Sequence, residues 1–143
     1  MSRRTPAIAE DRSDRAAPPV RTTLRVGIDI DGTITRAPEH FKRLIEALLD
    51  SGNEVHIVTG RDASRRSETV MLLYSLGVRC TSLMMKPVDW PHTIPDFKVE
   101  ATKDLNLHML IDDEEETCRA VEERTRALAA HMLPLAESEE RAA

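Results

Sequence analysis

Residues 26–36 read VGIDIDGTITR, and this stretch places two carboxylates directly after an apolar run. The run 24–30 has the character of a buried strand, which Gly32 ends. Side chains at positions i and i+2 of a strand lie on one face, so Asp29 and Asp31 are expected to lie side by side. Like charges so close repel each other, and a metal ion or a shared proton is needed to offset the repulsion. The stretch therefore predicts a strand that leads directly into a charged site.

Downstream of this strand, helices and strands alternate along the chain. Further strands are predicted at 54–59, 78–84 and 107–111, and helices at 38–51, 62–76, 96–105 and 114–130. Glycines follow the first two helices, and three prolines between 87 and 95 mark an irregular loop. The alternation predicts an α/β fold, namely a three-layer Rossmann-like parallel sheet with helices on both faces.

Length and composition are typical of one globular domain with flanking tails. The chain has 143 residues, of which 41% are hydrophobic. We expect a disordered N-terminal arm over 1–23, a folded domain over 24–133 and a flexible tail over 134–143. The arm lacks the apolar segment of a secretory signal, and no apolar run approaches the ~18 residues of a membrane-spanning helix. We therefore expect a cytoplasmic protein with no membrane partner.

Net charge and cysteine content argue against two further classes of function. The net charge of −5 argues against strong nonspecific nucleic-acid binding through bulk charge, although a local basic patch is compatible with it. Cys80 and Cys118 lie far apart and are not spaced like metal ligands, which predicts two reduced, buried thiols.

Polar residues follow three of the predicted strands. They are Asp29 and Asp31 after the first strand, Thr59, Gly60 and Arg61 after the second, and Asp112 and Asp113 after the fourth. In a parallel sheet the carboxyl ends of the strands share one edge, where ligands bind. Four carboxylates in so small a volume are costly unless a cation neutralises them, and Mg²⁺ takes carboxylates, waters and substrate phosphate as ligands. The pattern therefore predicts a Mg²⁺ site and a phosphorylated substrate.

A phosphate site is expected next to these carboxylates. The Thr59 hydroxyl and the amides of Gly60 and Arg61 fall in a predicted strand-to-helix turn, which is a favourable place for an anion. A turn that uses glycine for its backbone and threonine as a local cap would have the same residues. Three lysines are candidates to neutralise the phosphate, namely Lys86, Lys98 and Lys103.

Four short motifs resemble those of the haloacid dehalogenase-like phosphatases, in the same order. They are DIDGT at 29–33, IVTGR at 57–61, DFKVE at 96–100 and LIDDE at 110–114, so the resemblance covers about residues 24–125. It implies a hydrolase of phosphoric monoesters in which Asp29 attacks phosphorus and forms an aspartyl-phosphate. Asp31 would protonate the leaving oxygen and later activate water.

The resemblance also implies ligands for the phosphoryl group and the metal. Thr59 and Lys98 would hold the phosphoryl oxygens, with Gly60 and Arg61 beside them. The metal would be held by Asp29, by the backbone carbonyl of Asp31, and by Asp112 and Asp113. Which of Asp112 and Asp113 is the direct ligand does not follow from the sequence.

The spacing of the motifs leaves no room for a large cap domain. An open site suits bulky substrates such as nucleic-acid ends, or else a second copy or another subunit supplies a lid. The segment 83–100 and the four motifs look similar to the phosphatase part of polynucleotide kinase/phosphatases, which suggests nucleotides or polynucleotide 3′-phosphate ends as substrates. Trp90 would then stack on a base or, alternatively, pack its loop onto the domain. The alternative to an enzyme is a noncatalytic module that binds phosphate and regulates a partner.

Overall fold

The strands of the protein form one parallel sheet. The computed structural model describes residues 22–133, and its strands are β1 (Arg25–Ile28), β2 (Glu54–Asp62), β3 (Ser82–Lys86), β4 (Met109–Asp112) and β5 (Leu128–His131). They lie in the order β3-β2-β1-β4-β5, and every neighbouring pair is parallel. The chain moves outward from β1 to β3 and then returns to the other side of β1. This change of direction places a crevice between the carboxyl ends of β1 and β4.

Helices cover both faces of the sheet. They are α1 (Pro38–Asp50), α2 (Arg66–Ser75), α3 (Ile94–Asp104) and α4 (Glu115–Arg124), and short 3₁₀ turns occupy Ile34–Arg36 and Ala63–Arg65. One apolar core joins the sheet to α1 and α2, and a second joins it to α3 and α4. The predicted three-layer α/β architecture is therefore confirmed.

Close packing at the centre of the sheet depends on a glycine in β1. A Cβ atom at Gly27 would lie 2.5 Å from Leu107 Cδ1 and 3.0 Å from Leu110 Cδ1. Any side chain at this position would displace these two core leucines. The glycine thus lets the second core approach the central strand, beside the point where the crevice opens.

Several predicted element boundaries differ from the structure. The strand predicted at 78–84 lies at Ser82–Lys86, because the amide of Val78 bonds to Leu73 O and closes the end of α2 instead. The strand predicted at 54–59 continues to Asp62 through a register shift between Thr59 and Asp62. The helix predicted at 114–130 was wrong in its second half, where the chain forms β5.

A threonine explains why the last helix ends early. Thr125 is extended, with φ −136° and ψ 178°, and its hydroxyl bonds to Val121 O. Its Oγ1 also accepts the amide of Ala127 at 2.9 Å, so the chain turns away from the helix. The small apolar residues that follow then pair with β4 at the edge of the sheet.

The predicted arm at 1–23 and tail at 134–143 lie outside the described residues, apart from 22 and 23, which belong to no helix or strand. Within 22–133, no helix combines the length and the apolar character that a membrane span needs. Cys80 and Cys118 are free thiols, as predicted, and Cys118 is buried while Cys80 is half-buried.

Candidate functional site

Three carboxylates meet at the crevice between β1 and β4. Asp29 directly follows β1, and its amide bonds to Ile111 O at 3.0 Å, which extends the strand pairing by one residue. Asp112 ends β4, and Asp113 follows it. One carboxylate oxygen from each of the three lies within 4.8 Å of the others. The structure thus brings together the three carboxylates predicted as metal ligands.

A buried lysine lies between two of these carboxylates. Lys98 Nζ donates to Asp29 Oδ1 at 2.8 Å and to Asp112 Oδ2 at 2.6 Å, and only 3% of its side chain is exposed. Lys98 lies on α3, whose first turn is fixed by a capping box between Thr93 and Asp96. Burial lowers the pKa of Lys98, but the two carboxylates outweigh burial, and the pKa of Lys98 is raised. The ammonium group is therefore held charged between them.

Asp112 is fixed from several directions. Its Oδ1 accepts the Glu114 amide at 2.9 Å, at the start of α4, and its backbone carbonyl accepts the Met132 amide at 2.9 Å. The Cys118 thiol also contacts this carbonyl, at 3.6 Å. The carboxylate that faces Lys98 is thus positioned before any ligand arrives.

The cluster carries more negative charge than Lys98 neutralises. The pKa of Asp29 is raised to about 7, because burial, together with the neighbouring Asp112, outweighs the lowering effect of Lys98. Thr33 Oγ1 donates to Asp29 Oδ2 at 3.1 Å and lies 3.4 Å from Asp113 Oδ1. Counted by formal charge, three carboxylates and one ammonium leave two negative charges, which a divalent cation would balance. The residues therefore suit a divalent metal ion in both ligand chemistry and charge.

Asp31 lies beside this cluster, not in it. Arg61 Nε and Nη2 donate to the two oxygens of Asp31, each at 2.8 Å, and 58% of the Asp31 side chain is exposed. The hydrogen bonds from Arg61 lower the pKa of Asp31 despite partial burial. Because β1 ends at Ile28 and the amide of Thr33 bonds back to Ile30 O at 3.1 Å, the pleat does not extend to Asp31. A turn carries Asp31 to the rim of the crevice, while Ile30 is fully buried.

The backbone of the second motif, IVTGR at 57–61, differs from the prediction. The strand-to-helix turn predicted at 59–61 is wrong, because β2 continues to Asp62 and a 3₁₀ turn follows only at Ala63. The amide of Arg61 donates to Thr59 Oγ1 at 3.1 Å and is therefore engaged within the protein. Thr59 still has its own hydroxyl proton to donate, and it lines the crevice together with Gly60.

The crevice has a volume of about 630 Å³. All seven residues predicted at the strand ends line it, together with Lys98. The sequence analysis missed six further lining residues, namely Arg65, Ile94, Pro95, Glu114, Glu116 and Thr117. Their positions in the chain could have identified them, because these residues lie just after β2, at the start of α3 or at the start of α4.

The other candidate groups lie elsewhere. Lys86 Nζ bonds to Asp62 Oδ1 at 3.2 Å, and Lys103 lines a separate cavity with Thr125. Trp90 packs edge-to-face on Phe97, with ring centroids 5.8 Å apart, and donates its Nε1 to Thr93 O at 2.8 Å. These contacts favour the packing role for Trp90 over base stacking.

No family model matches the chain, and no curated protein matches it. Two solved structures of the Pnkp1/Rnl/Hen1 complex, one of them described as an RNA repair complex, do match. The first is 16% identical over 82% of this chain with a TM-score of 0.66, and the second is 16% identical over 83% with a TM-score of 0.68. This chain spans about half the length of those chains, 45% and 49%.

Other proteins share the fold as well. An uncharacterized protein from Corynebacterium glutamicum is 14% identical over 79% of this chain and 87% of its own, with a TM-score of 0.59. A universal stress protein in complex with cAMP is 14% identical over 79% of this chain and 98% of its own, with a TM-score of 0.51. At such identities the comparisons establish the α/β fold alone.

Proposed function

We propose that this chain is a Mg²⁺-dependent phosphomonoesterase that works through an aspartyl-phosphate on Asp29. The observation that carries the proposal is the meeting of buried Asp29 and Asp112, both paired with the Lys98 ammonium, with the half-buried Asp113 beside them. Clustered carboxylates of this kind are costly to keep in a fold that gains nothing from them, since each is desolvated and repels the others.

The metal would be held by the carboxylates of Asp29, Asp112 and Asp113, with the backbone carbonyl of Asp31 as a further ligand. Oxygen donors at short mutual distances suit Mg²⁺, which keeps several waters and shares substrate phosphate with the protein. When bound, Mg²⁺ would stabilise the negative charge of the phosphoryl group during transfer.

The remaining chemistry belongs to two carboxylates. An oxygen of Asp29 attacks phosphorus, a new O–P bond forms, and the bond from phosphorus to the leaving oxygen breaks. Asp31, protonated for this step once Arg61 has released it, gives its proton to the leaving oxygen, and an alcohol departs. Water then attacks phosphorus and loses a proton to Asp31. The bond between phosphorus and Asp29 breaks, which releases phosphate and restores both side chains.

Lys98, Thr59 and Arg61 would bind the phosphoryl oxygens. Lys98 already contacts the attacking carboxylate, so the phosphoryl group would reach the same ammonium. Arg61 cannot hold a phosphate with two parallel hydrogen bonds while it holds both oxygens of Asp31. We therefore propose that the substrate displaces Arg61 from Asp31 when it binds.

The proposed substrate is a nucleotide or a nucleic-acid strand with a terminal 3′-phosphate. The crevice is open and is larger than a phosphate group needs. The motif resemblance to polynucleotide kinase/phosphatases and the fold shared with chains of an RNA repair complex support this choice.

The direct test is hydrolysis of p-nitrophenyl phosphate and of a 3′-phosphorylated oligonucleotide, with Mg²⁺ or with excess EDTA. We expect turnover only with Mg²⁺ and a loss of at least about a thousandfold in Asp29→Asn. Asp50→Asn is the matched control, because Asp50 pairs with Arg79 on the surface. Full activity in Asp29→Asn or in EDTA would refute the mechanism. Phosphate binding without any turnover would favour the noncatalytic alternative.

A further inference from the structure

The walls of the crevice carry opposite charges. Arg61 and Arg65 line one side, from the end of β2 and the 3₁₀ turn that follows it. Glu114 and Glu116 line another side, at the start of α4. A substrate with several negative charges would be repelled by the acidic wall and attracted to the basic one. The crevice therefore favours one orientation of such a substrate, with its negative groups towards the basic side.

The position of Asp31 fixes where the leaving group lies. A general acid must touch the leaving oxygen, so the leaving group lies on the Asp31 side of the scissile phosphate. Arg61 holds the Asp31 carboxylate at 2.8 Å, and Arg65, from the turn that follows β2, lines the same crevice. Arg65 is thus near the space that the leaving group would fill.

A ligand can bind the guanidinium group of Arg65 with little loss of stabilising contacts within the protein. Arg65 pairs with Glu68 one turn further along, and the two side chains are 47% and 61% exposed. Exposed ion pairs of this kind contribute little to stability, because water and salt screen them. Arg61, in contrast, is largely buried and bonds also to Thr69 Oγ1 at 3.3 Å. A second anionic group could therefore bind Arg65 without disturbing the carboxylate cluster of the crevice.

We propose that Arg65 binds a second phosphate of the substrate, on the leaving-group side of the scissile phosphate, and so selects substrates whose leaving group is itself anionic. This inference rests on the proposed phosphomonoesterase function and adds a specificity-determining residue to it. The second group is the phosphodiester of a nucleic-acid strand or the other phosphate of a nucleoside 3′,5′-bisphosphate. A monoester with an uncharged leaving group gains nothing from Arg65.

The test compares kcat/KM for adenosine 3′,5′-bisphosphate and a short 3′-phosphorylated oligonucleotide with kcat/KM for p-nitrophenyl phosphate. In Arg65→Gln we expect the ratio of each anionic substrate to p-nitrophenyl phosphate to fall about tenfold, mainly through KM. Arg65→Lys should restore part of the ratio, and Glu68→Gln should raise it by freeing Arg65. Arg119→Gln is the matched control, because Arg119 pairs with Glu115 at 2.8 Å, is similarly exposed and is not among the residues that line the crevice.

Each outcome decides the proposal. A fall with the oligonucleotide alone assigns the second group to a strand phosphodiester, and a fall with both substrates assigns it to a phosphate of either source. An unchanged ratio in Arg65→Gln, or the same change in Arg119→Gln, would overturn the assignment.

A chain without phosphatase activity would still allow the role of Arg65 in binding to be tested. If the wild-type chain hydrolyses none of the three compounds, fluorescence anisotropy with the labelled 3′-phosphorylated oligonucleotide still tests Arg65. We then expect about tenfold weaker binding in Arg65→Gln than in Arg119→Gln, and a slope of log affinity against log salt that is smaller by about one. Equal affinities and slopes would refute the role of Arg65.

Discussion

Lys98 contributes to stability as well as to the site, because it is the buried cation between Asp29 and Asp112. In Lys98→Met the two carboxylates lose their partner, and we expect the free energy of unfolding in EDTA to fall by about 3 kcal/mol. Mg²⁺ should restore part of the loss, since it neutralises the same carboxylates. Urea unfolding in EDTA and in Mg²⁺ measures both effects.

Lys103→Met is the control for this change, since Lys103 is an exposed lysine on the same helix. It should leave the unfolding free energy within about 0.5 kcal/mol of the wild type. A Lys98→Met variant as stable as the wild type in EDTA would show that the ion pairs contribute nothing net.

Cys118 illustrates how the same cluster affects a neighbouring residue. Burial and the charge of Asp112 raise the pKa of the Cys118 thiol to about 11 from 9.0. Because a raised pKa leaves fewer thiolates at a given pH, about a hundredfold less thiolate is present at pH 8 than for an unshifted thiol. We expect iodoacetamide to modify Cys118 in Cys80→Ser at least about a hundred times more slowly than it modifies the urea-unfolded chain. Equal rates in the folded and unfolded chains would contradict this environment.

The turn after β1 lies against Asp113, and two glycine variants test whether this turn positions the site. Gly32 has φ +83°, and a Cβ atom there would lie 2.3 Å from Asp113 Oδ2. Gly52 has a similar φ of +87°, but nothing lies within 4 Å of its Cβ position. Both alanine variants should lose about 1–2 kcal/mol from the positive φ, as measured by urea unfolding in EDTA. Only Gly32→Ala should also displace the Asp113 carboxylate.

Metal affinity separates the two glycine variants. Isothermal titration with Mg²⁺ should show binding to Gly52→Ala like that of the wild type, and at least about tenfold weaker binding to Gly32→Ala. The glycine pair thus separates backbone strain from the loss of a ligand. Equal Mg²⁺ affinities would mean that Asp113 does not need its observed position for binding.

Elements also show which parts of the site were predictable from the sequence. Asp29 directly follows β1 and Asp112 is the last residue of β4, and strand ends converge wherever a parallel sheet forms, so their meeting follows from local pattern alone. The pairing of Arg61 with Asp31 does not, because it depends on a turn after β1 and on the register shift in β2. β5 was missed because Thr125 ends α4 with local hydrogen bonds that helical periodicity does not reveal.

At the scale of the whole molecule, the site joins the two halves of the sheet. Asp29 extends β1, whose neighbour β2 leads to α2, whereas Asp112 ends β4, which leads to α4 and β5. Lys98 reaches both carboxylates from α3, on the second face. A cation bound here would therefore contact segments far apart in the sequence, and its binding should stabilise the folded domain as a unit.

Thermal unfolding with Mg²⁺ tests this coupling. A ligand that binds only the folded state stabilises it by RT ln(1 + [L]/Kd), which is about 2.7 kcal/mol at a hundredfold excess over Kd. For a domain of this size we expect the Tm to rise by about 10 °C between EDTA and saturating Mg²⁺. Asp113→Asn should lose most of this rise, while Asp104→Asn, an exposed residue at the end of α3, should keep it. A wild-type Tm that is the same in EDTA and in millimolar Mg²⁺ would show that the three carboxylates do not bind this ion, because a ligand at the junction of both halves must shift the unfolding equilibrium.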